Sequence, residues 1–215
     1  MDDRSPPRAR PGNPGGCVAD ATPRPLPLRR SLAFAGLAVG LFGRTGSVQA
    51  DAVELAALDE PGTTLLLRHA LTEPGIGDPP GFRLGDCASQ RNLSDEGRAQ
   101  ARRGGERLRA RAVRIDAVLS SRWCRCLETA RLAFGEAAPW PALDSFFGDP
   151  GSGPARTRAL AERVARHSGP GLLVMVTHQV NITAATGQVP AMGEALAVRP
   201  GPGGALRITG RVRFS

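Results

Sequence analysis

The chain has 215 residues, enough for one ordinary domain and a leader, and a formal net charge of +8. All 28 basic residues are Arg, and residues 1–50, with seven Arg against three Asp, carry a net +4 of that excess. The remainder is only mildly basic and has no basic patch interleaved with aromatics, which argues against nucleic acid as a partner and suits anionic ligands.

Residues 1–28 are rich in Pro, Arg and Gly and cannot build a core. Arg29 and Arg30 then precede an apolar run of eleven residues, Leu32 to Phe42, too short to span a bilayer as a helix. The run suits the h-region of a signal peptide, with cleavage after Val48-Gln49-Ala50, and the paired arginines are similar to a twin-arginine export signal. The rival is a buried helix or a membrane anchor. Residues 1–50 are therefore read as an export leader. Residues 51–215 are read as the mature domain, in the periplasm or outside the cell, with no membrane span after processing.

From residue 51 the pattern alternates between strand and helix. Residues 63–67 form a short apolar strand. A Gly/Pro-rich loop follows over 73–92. Ser94 is an N-cap with Asp95 and Glu96 in the first turn, and the helix runs to about Ala112 despite Gly104-Gly105. Residues 115–119 are a second strand and 123–134 a helix ended by Gly135. Residues 136–154 read as loop and 156–167 as a third helix. Residues 172–176 are a continuous apolar strand of the kind buried on both faces of a parallel sheet. A short helix follows His178, and two alternating segments, 195–198 and 206–212, close the sheet.

Polar residues gather at three strand ends. The first strand ends in Arg68-His69, the second in Ser120-Ser121 followed by Arg122 and Arg125, and the late apolar strand in Thr177-His178. Open α/β sheets bind ligands outside the carboxyl ends of their strands. Two of the three His in the chain therefore face one crevice with at least two Arg, whose planar forks match phosphate oxygens. The helix N-termini after the second and third of these strands would add backbone donors. Singly, each piece is an ordinary surface or core feature; the joint placement is not.

LLLRHA at 65–70, NLSDEGRAQA at 92–101, VLSSRWCRCLETA at 118–130 and VMVTHQVNITAATG at 174–187 resemble, in order, successive blocks of the histidine phosphatase superfamily, also called phosphoglycerate mutase-like. The resemblance implies an α/β fold, a three-layer α/β/α sandwich with a mostly parallel central sheet. It also implies a phosphoric monoester hydrolase acting through a phosphohistidine. By position His69 matches the nucleophile, Arg68 and Arg125 the phosphate-binding arginines, and His178 the second histidine of the pocket. Arg68 and Arg125 are expected to disfavour the imidazolium and keep His69 nucleophilic. His167 matches no functional position and reads as the exposed end of a helix. No cofactor is implied, and no Cys/His cluster has zinc spacing, so no metal is expected.

Ala70 and Gln179 stand where many members have Gly. Many members also carry an acid in the segment after the second Arg helix, where Ser145 stands here. The proton-donor candidates are Asp149, in a Gly/Pro loop, then Asp144, then Glu128. Export permits disulfides. With the implied fold, Cys87 borders the same pocket as Cys124 and Cys126, and a bridge from Cys87 to either would brace Arg125; the rival is three free thiols. The expected partner is a small-molecule or cell-envelope phosphate ester. The competing functions are a phosphotransferase or mutase of the same fold, and an inactive phospho-ligand-binding module.

Overall fold

The structure, a computed structural model, describes residues 58–214; the leader read over 1–50, with Arg29, Arg30 and Cys17, lies outside the described residues. Strands β1 (Thr64–Arg68), β2 (Ile115–Ser120), β3 (Ala138–Pro139), β4 (Leu172–Thr177), β5 (Glu194–Pro200) and β6 (Leu206–Arg213) form one six-stranded sheet in the order β3-β2-β4-β1-β5-β6. β3, β2, β4 and β1 pair in parallel, and β5 and β6 extend the sheet antiparallel. Helices α1 (Asp95–Ala110), α2 (Cys124–Phe134), α3 (Gly153–Ala165) and α4 (Gln179–Thr186) cover its two faces.

Alternation along the strands builds the layers, because successive side chains point to opposite faces. Leu65 and Leu67 of β1 and Val174 and Val176 of β4 pack with Leu108 of α1 and Ala130 and Ala133 of α2. Leu66, Leu173 and Met175 point the other way, onto Leu160 and Val164 of α3 and Ile182 of α4. The sheet thus lies between α1/α2 and α3/α4. β4 is buried along its whole length, as a parallel strand covered on both faces must be. β5 is also buried from Glu194 to Val198, because it lies between β1 and β6 with both faces covered.

Register sets the site. Arg68 of β1 stands opposite Thr177 of β4, and Ser120 of β2 opposite Val176. The next residue along β1 is His69 and along β4 is His178, so pairing alone brings the two histidines side by side.

The loops refine the reading from sequence. Ser94 caps α1, its Oγ accepting from Gly97 N at 3.1 Å. A Cβ on Gly104 would stand 2.0 Å from the Phe214 ring, and one on Gly105 2.1 Å from the Ala133 carbonyl oxygen. The glycine pair therefore lets α1 lie directly on α2 and on the chain's last aromatic residue. α1 stops at Ala110, short of Ala112, which takes the left-handed conformation at φ 52 while Val113 N bonds back to Leu108 O. α3 opens at Gly153, three residues before Arg156, with a proline in its first turn. The segment before it, read as loop, contains the edge strand β3 and short 3-10 turns at Pro141–Leu143 and Pro150–Ser152. His167 is half-buried, not exposed: its Nε2 lies 2.9 Å from Gly171 O and ties the α3–β4 turn.

Candidate active site

His69 is fixed from both sides. Its N–H donates to Thr177 O at 3.0 Å, prolonging the β1–β4 ladder by one residue. The following amide, Ala70 N, donates to Thr129 Oγ1 at 3.0 Å, and that hydroxyl donates to Arg125 O at 2.7 Å, coupling the end of β1 to α2. His69 Nδ1 lies 2.9 Å from Ala70 O. A carbonyl only accepts, so Nδ1 carries the proton and Nε2 keeps its lone pair. His178 N-caps α4, with Nε2 2.8 Å from Ser121 Oγ at the end of β2. The ring centroids of the two histidines are 5.5 Å apart, and both residues are buried.

A cavity of about 680 Å³ opens over them, lined by Arg68, Arg91, Arg125 and Arg156. Arg68 Nη1 donates to Pro190 O at 2.8 Å. Arg125 is buried against Asp78, with Nη1 2.6 Å from Oδ1 and Nη2 3.2 Å from Oδ2. Asp78 also accepts from Trp123 Nε1 at 2.9 Å and Arg91 N at 3.0 Å. The Nε atoms of Arg68, Arg91 and Arg125 are buried without a partner. Buried donors are ordinarily bonded, so these three stand out among the described side chains.

The electrostatics agree. The His69 imidazole is pushed down to about 3, first by burial, then by Arg125, with Arg68 and Arg91 adding smaller effects. His178 is lowered well below its ordinary value, again by burial first, then by His69 and the arginines. Arg68 and Arg125 disfavour the imidazolium as expected, and loss of water adds the larger cause. Arg68 and Arg91 are themselves lowered, by burial and then by neighbouring arginines. Burial pushes the Asp78 carboxyl up, but Arg125, together with the hydrogen bonds from Trp123 and Arg91 N, outweighs it and holds the group below the usual carboxylate range.

The structure thus brings Arg68, His69, Arg125 and His178 to one cavity, and Asp149 stands on its rim. Asp144 and Glu128 do not join them. Asp144 is buried and engaged by Arg122, whose Nε and Nη2 donate to its Oδ2 at 2.8 and 2.5 Å, because the turn at Pro141–Leu143 aims it at β2's end. Glu128 accepts from Arg98 of α1 at 2.7 Å.

Cys87 bonds to Cys124, and Cys126 is free and buried, its thiol pushed up to about 12 by burial. Two residues along a helix turn a side chain by roughly 200°, so Cys124 faces the loop while Cys126 faces His178. The same loop supplies Gln90 Oε1 to Cys124 N at 3.0 Å, so that α2 amide serves the loop rather than an anion. Asp78, Arg91 and Arg156, along with the apolar rim of Ile76, Phe82 and Phe147, were missed in the sequence. For Ile76, Asp78, Phe82 and Arg91 the one signal was the length of the loop at 73–92, twenty residues where a plain connector needs far fewer; Arg156 and Phe147, in α3 and the segment before it, had none. A second cavity of about 920 Å³, between α3 and the turn at Pro202–Gly204, is lined by no histidine.

Residues 64–145 match the sequence profile of the histidine phosphatase superfamily (branch 1). Among solved structures, a phosphoserine phosphatase mutant from Entamoeba histolytica in complex with phosphoserine aligns at 13% identity and TM-score 0.51, over 71% of this chain and 98% of that one. The Rv3214 open reading frame of Mycobacterium tuberculosis aligns at 17% identity and TM-score 0.50, over 68% and 94%. The protein histidine phosphatase SixA complexed with tungstate aligns at 17% identity and TM-score 0.47, over 71% and 97%. No curated protein sequence matches the chain. At such identities the solved structures speak for the fold, and the profile match, running from β1 to the segment before α3, makes that part of the chain similar to the histidine phosphatase superfamily.

Proposed function

We propose that this chain is a phosphatase that hydrolyses a phosphate monoester through a phosphohistidine at His69. The reading is carried by two buried imidazoles, 5.5 Å apart by ring centroid, beneath guanidinium groups whose Nε atoms have no partner. A phosphate supplies the acceptors those donors lack. Burial keeps His69 neutral through the neutral pH range, so Nε2 attacks phosphorus without a separate base. The N–P bond forms as the P–O bond to the alcohol breaks, and the alcohol oxygen takes a proton. Water then attacks phosphorus, the N–P bond breaks, and inorganic phosphate leaves.

Arg68 and Arg125 oppose the charge on the equatorial oxygens, and His178, held neutral by burial, lines the same cavity. Asp78 holds both Nη atoms of Arg125 and fixes the guanidinium beside the histidines. Asp149, the one proton-donor candidate bordering the cavity, protonates the departing alcohol. The domain works outside the cytoplasm after loss of the leader over 1–50, on a small-molecule or cell-envelope phosphate ester. The Cys87–Cys124 disulfide supports an oxidising compartment.

The test is chemical trapping. Purified protein mixed with a radiolabelled phosphoester and quenched in alkali, where phosphohistidine survives, should retain label. His69→Ala should retain none and lose turnover by several orders of magnitude. Near-wild-type turnover in that variant would sink the mechanism.

A further inference from the structure

Among the described residues five large apolar side chains are exposed: Ile76 at 90%, Phe82 at 37%, Leu84 at 40%, Phe147 at 62% and Val189 at 61%. Isolated exposed apolar residues need no explanation, but gathered ones do. Ile76, Phe82 and Phe147 all line the one cavity that holds the histidines. They come from two segments distant in sequence, the loop after β1 and the stretch before α3. Those segments meet, with Phe147 Cε1 3.8 Å from where a Cβ on Gly77 would stand.

The apolar character continues inward. The Phe82 ring lies tilted against Trp123 at 5.7 Å, and Trp123 meets His178 edge to face at 5.3 Å. An aromatic path therefore runs from the rim to the second imidazole. The cavity is graded, with guanidinium donors at its floor and hydrocarbon at its mouth. Its volume of about 680 Å³ is that of a site for a whole organic ligand, well beyond a phosphate group.

We propose that the site takes phosphate monoesters of hydrophobic alcohols, with the phosphate among the arginines and the alcohol's apolar body against Ile76, Phe82 and Phe147. The proposal rests on the phosphatase reading above. Against Ile76, Phe82 and Phe147 a sugar's hydroxyls would find no partners, so polar contacts on this rim would come from Ser145, Asp149, Arg156 and Gln179 alone. An alkyl, prenyl or aryl body instead removes its own surface and that of the rim from water. Arg156 gives one of its N–H donors to Ser145 O at 3.2 Å.

The experiment measures kcat/KM over n-alkyl monophosphates from ethyl to octyl, beside a hexose phosphate and glycerol phosphate. It compares wild type, Ile76→Ser/Phe147→Ser, and Val189→Ser, whose apolar side chain is exposed outside the cavity. Matching thermal midpoints establish that the variants are folded. In the wild type and in Val189→Ser, kcat/KM should rise about two- to fourfold per methylene, as burial of hydrocarbon predicts. The double variant should flatten that rise. A flat series with the hexose phosphate as the better substrate would overturn the proposal, as would a rise that survives in the double variant. Absence of turnover on every ester, together with absence of alkali-stable label, would instead remove the phosphatase reading, and the proposal with it.

Discussion

At His69 the imidazole is 3% exposed and pushed down to about 3, with loss of water the first cause and Arg125 the second. An unfolded chain takes up this proton near 6.5. Between those values the unfolded state binds more protons than the folded one, so this group's contribution to stability grows as pH rises and is lost as pH falls from 6.5 toward about 3. His178 is shifted in the same direction. Each histidine adds a slope of at most about 1.4 kcal/mol per pH unit inside its window. Urea unfolding across mildly acid pH should show that loss, and His69→Asn, which takes up no proton, should show a shallower one. An equal slope in the variant would place the acid sensitivity elsewhere. The four positions that matched the family were legible because each sits at a strand end or one helical turn beyond it. Asp78 and Arg91 were not, because a Gly/Pro-rich stretch has no periodicity to say which side chain turns inward. The order of causes at His69 was hidden too, since burial depends on what packs above a strand end and charge can be read from neighbours in the sequence.

Among the elements, α2 carries the most information per residue. Its first turn holds Cys124 toward the loop, Arg125 toward Asp78 and Cys126 toward His178. Which cysteine pairs with Cys87 was open in the sequence and follows from helical rotation once the helix start is fixed. The bridge closes a separation of 37 residues, for which chain entropy gives about 3–4 kcal/mol. Cys87→Ser should lower urea stability by up to that amount. In the native protein, alkylation with peptide mapping should find Cys87 joined to Cys124, with Cys126 reacting only after unfolding. Labelling of Cys87 or Cys124 in unreduced native protein would refute the pairing. Asp144 illustrates the opposite case. Its position near the pocket was readable, but a single 3-10 turn aims it at Arg122, and no pattern in LDSFFGD announces that turn. Helix ends moved for similar local reasons: Ala112 gave no glycine to signal the left-handed residue after α1.

At the scale of the whole molecule, alternation of strand and helix gave a mostly parallel sheet, but not its order. β1 comes to lie between β4 and β5 through pairings more than a hundred residues apart, which local pattern does not encode. That order is nonetheless what makes the site, since it sets the ends of β1, β4 and β2 next to one another. The full chain is expected outside the cytoplasm with a new N-terminus near Asp51, and Lys in place of both Arg29 and Arg30 should hold it inside. Cell fractionation with N-terminal sequencing checks this, and full-length protein confined to the cytosol would remove export from the proposal. The arginines that line the cavity repel one another. A cage shaped for the phosphate end of an ester holds the released anion by the same donors. On the proposed reaction the product therefore competes with the ester for the same donors, and added inorganic phosphate should slow turnover.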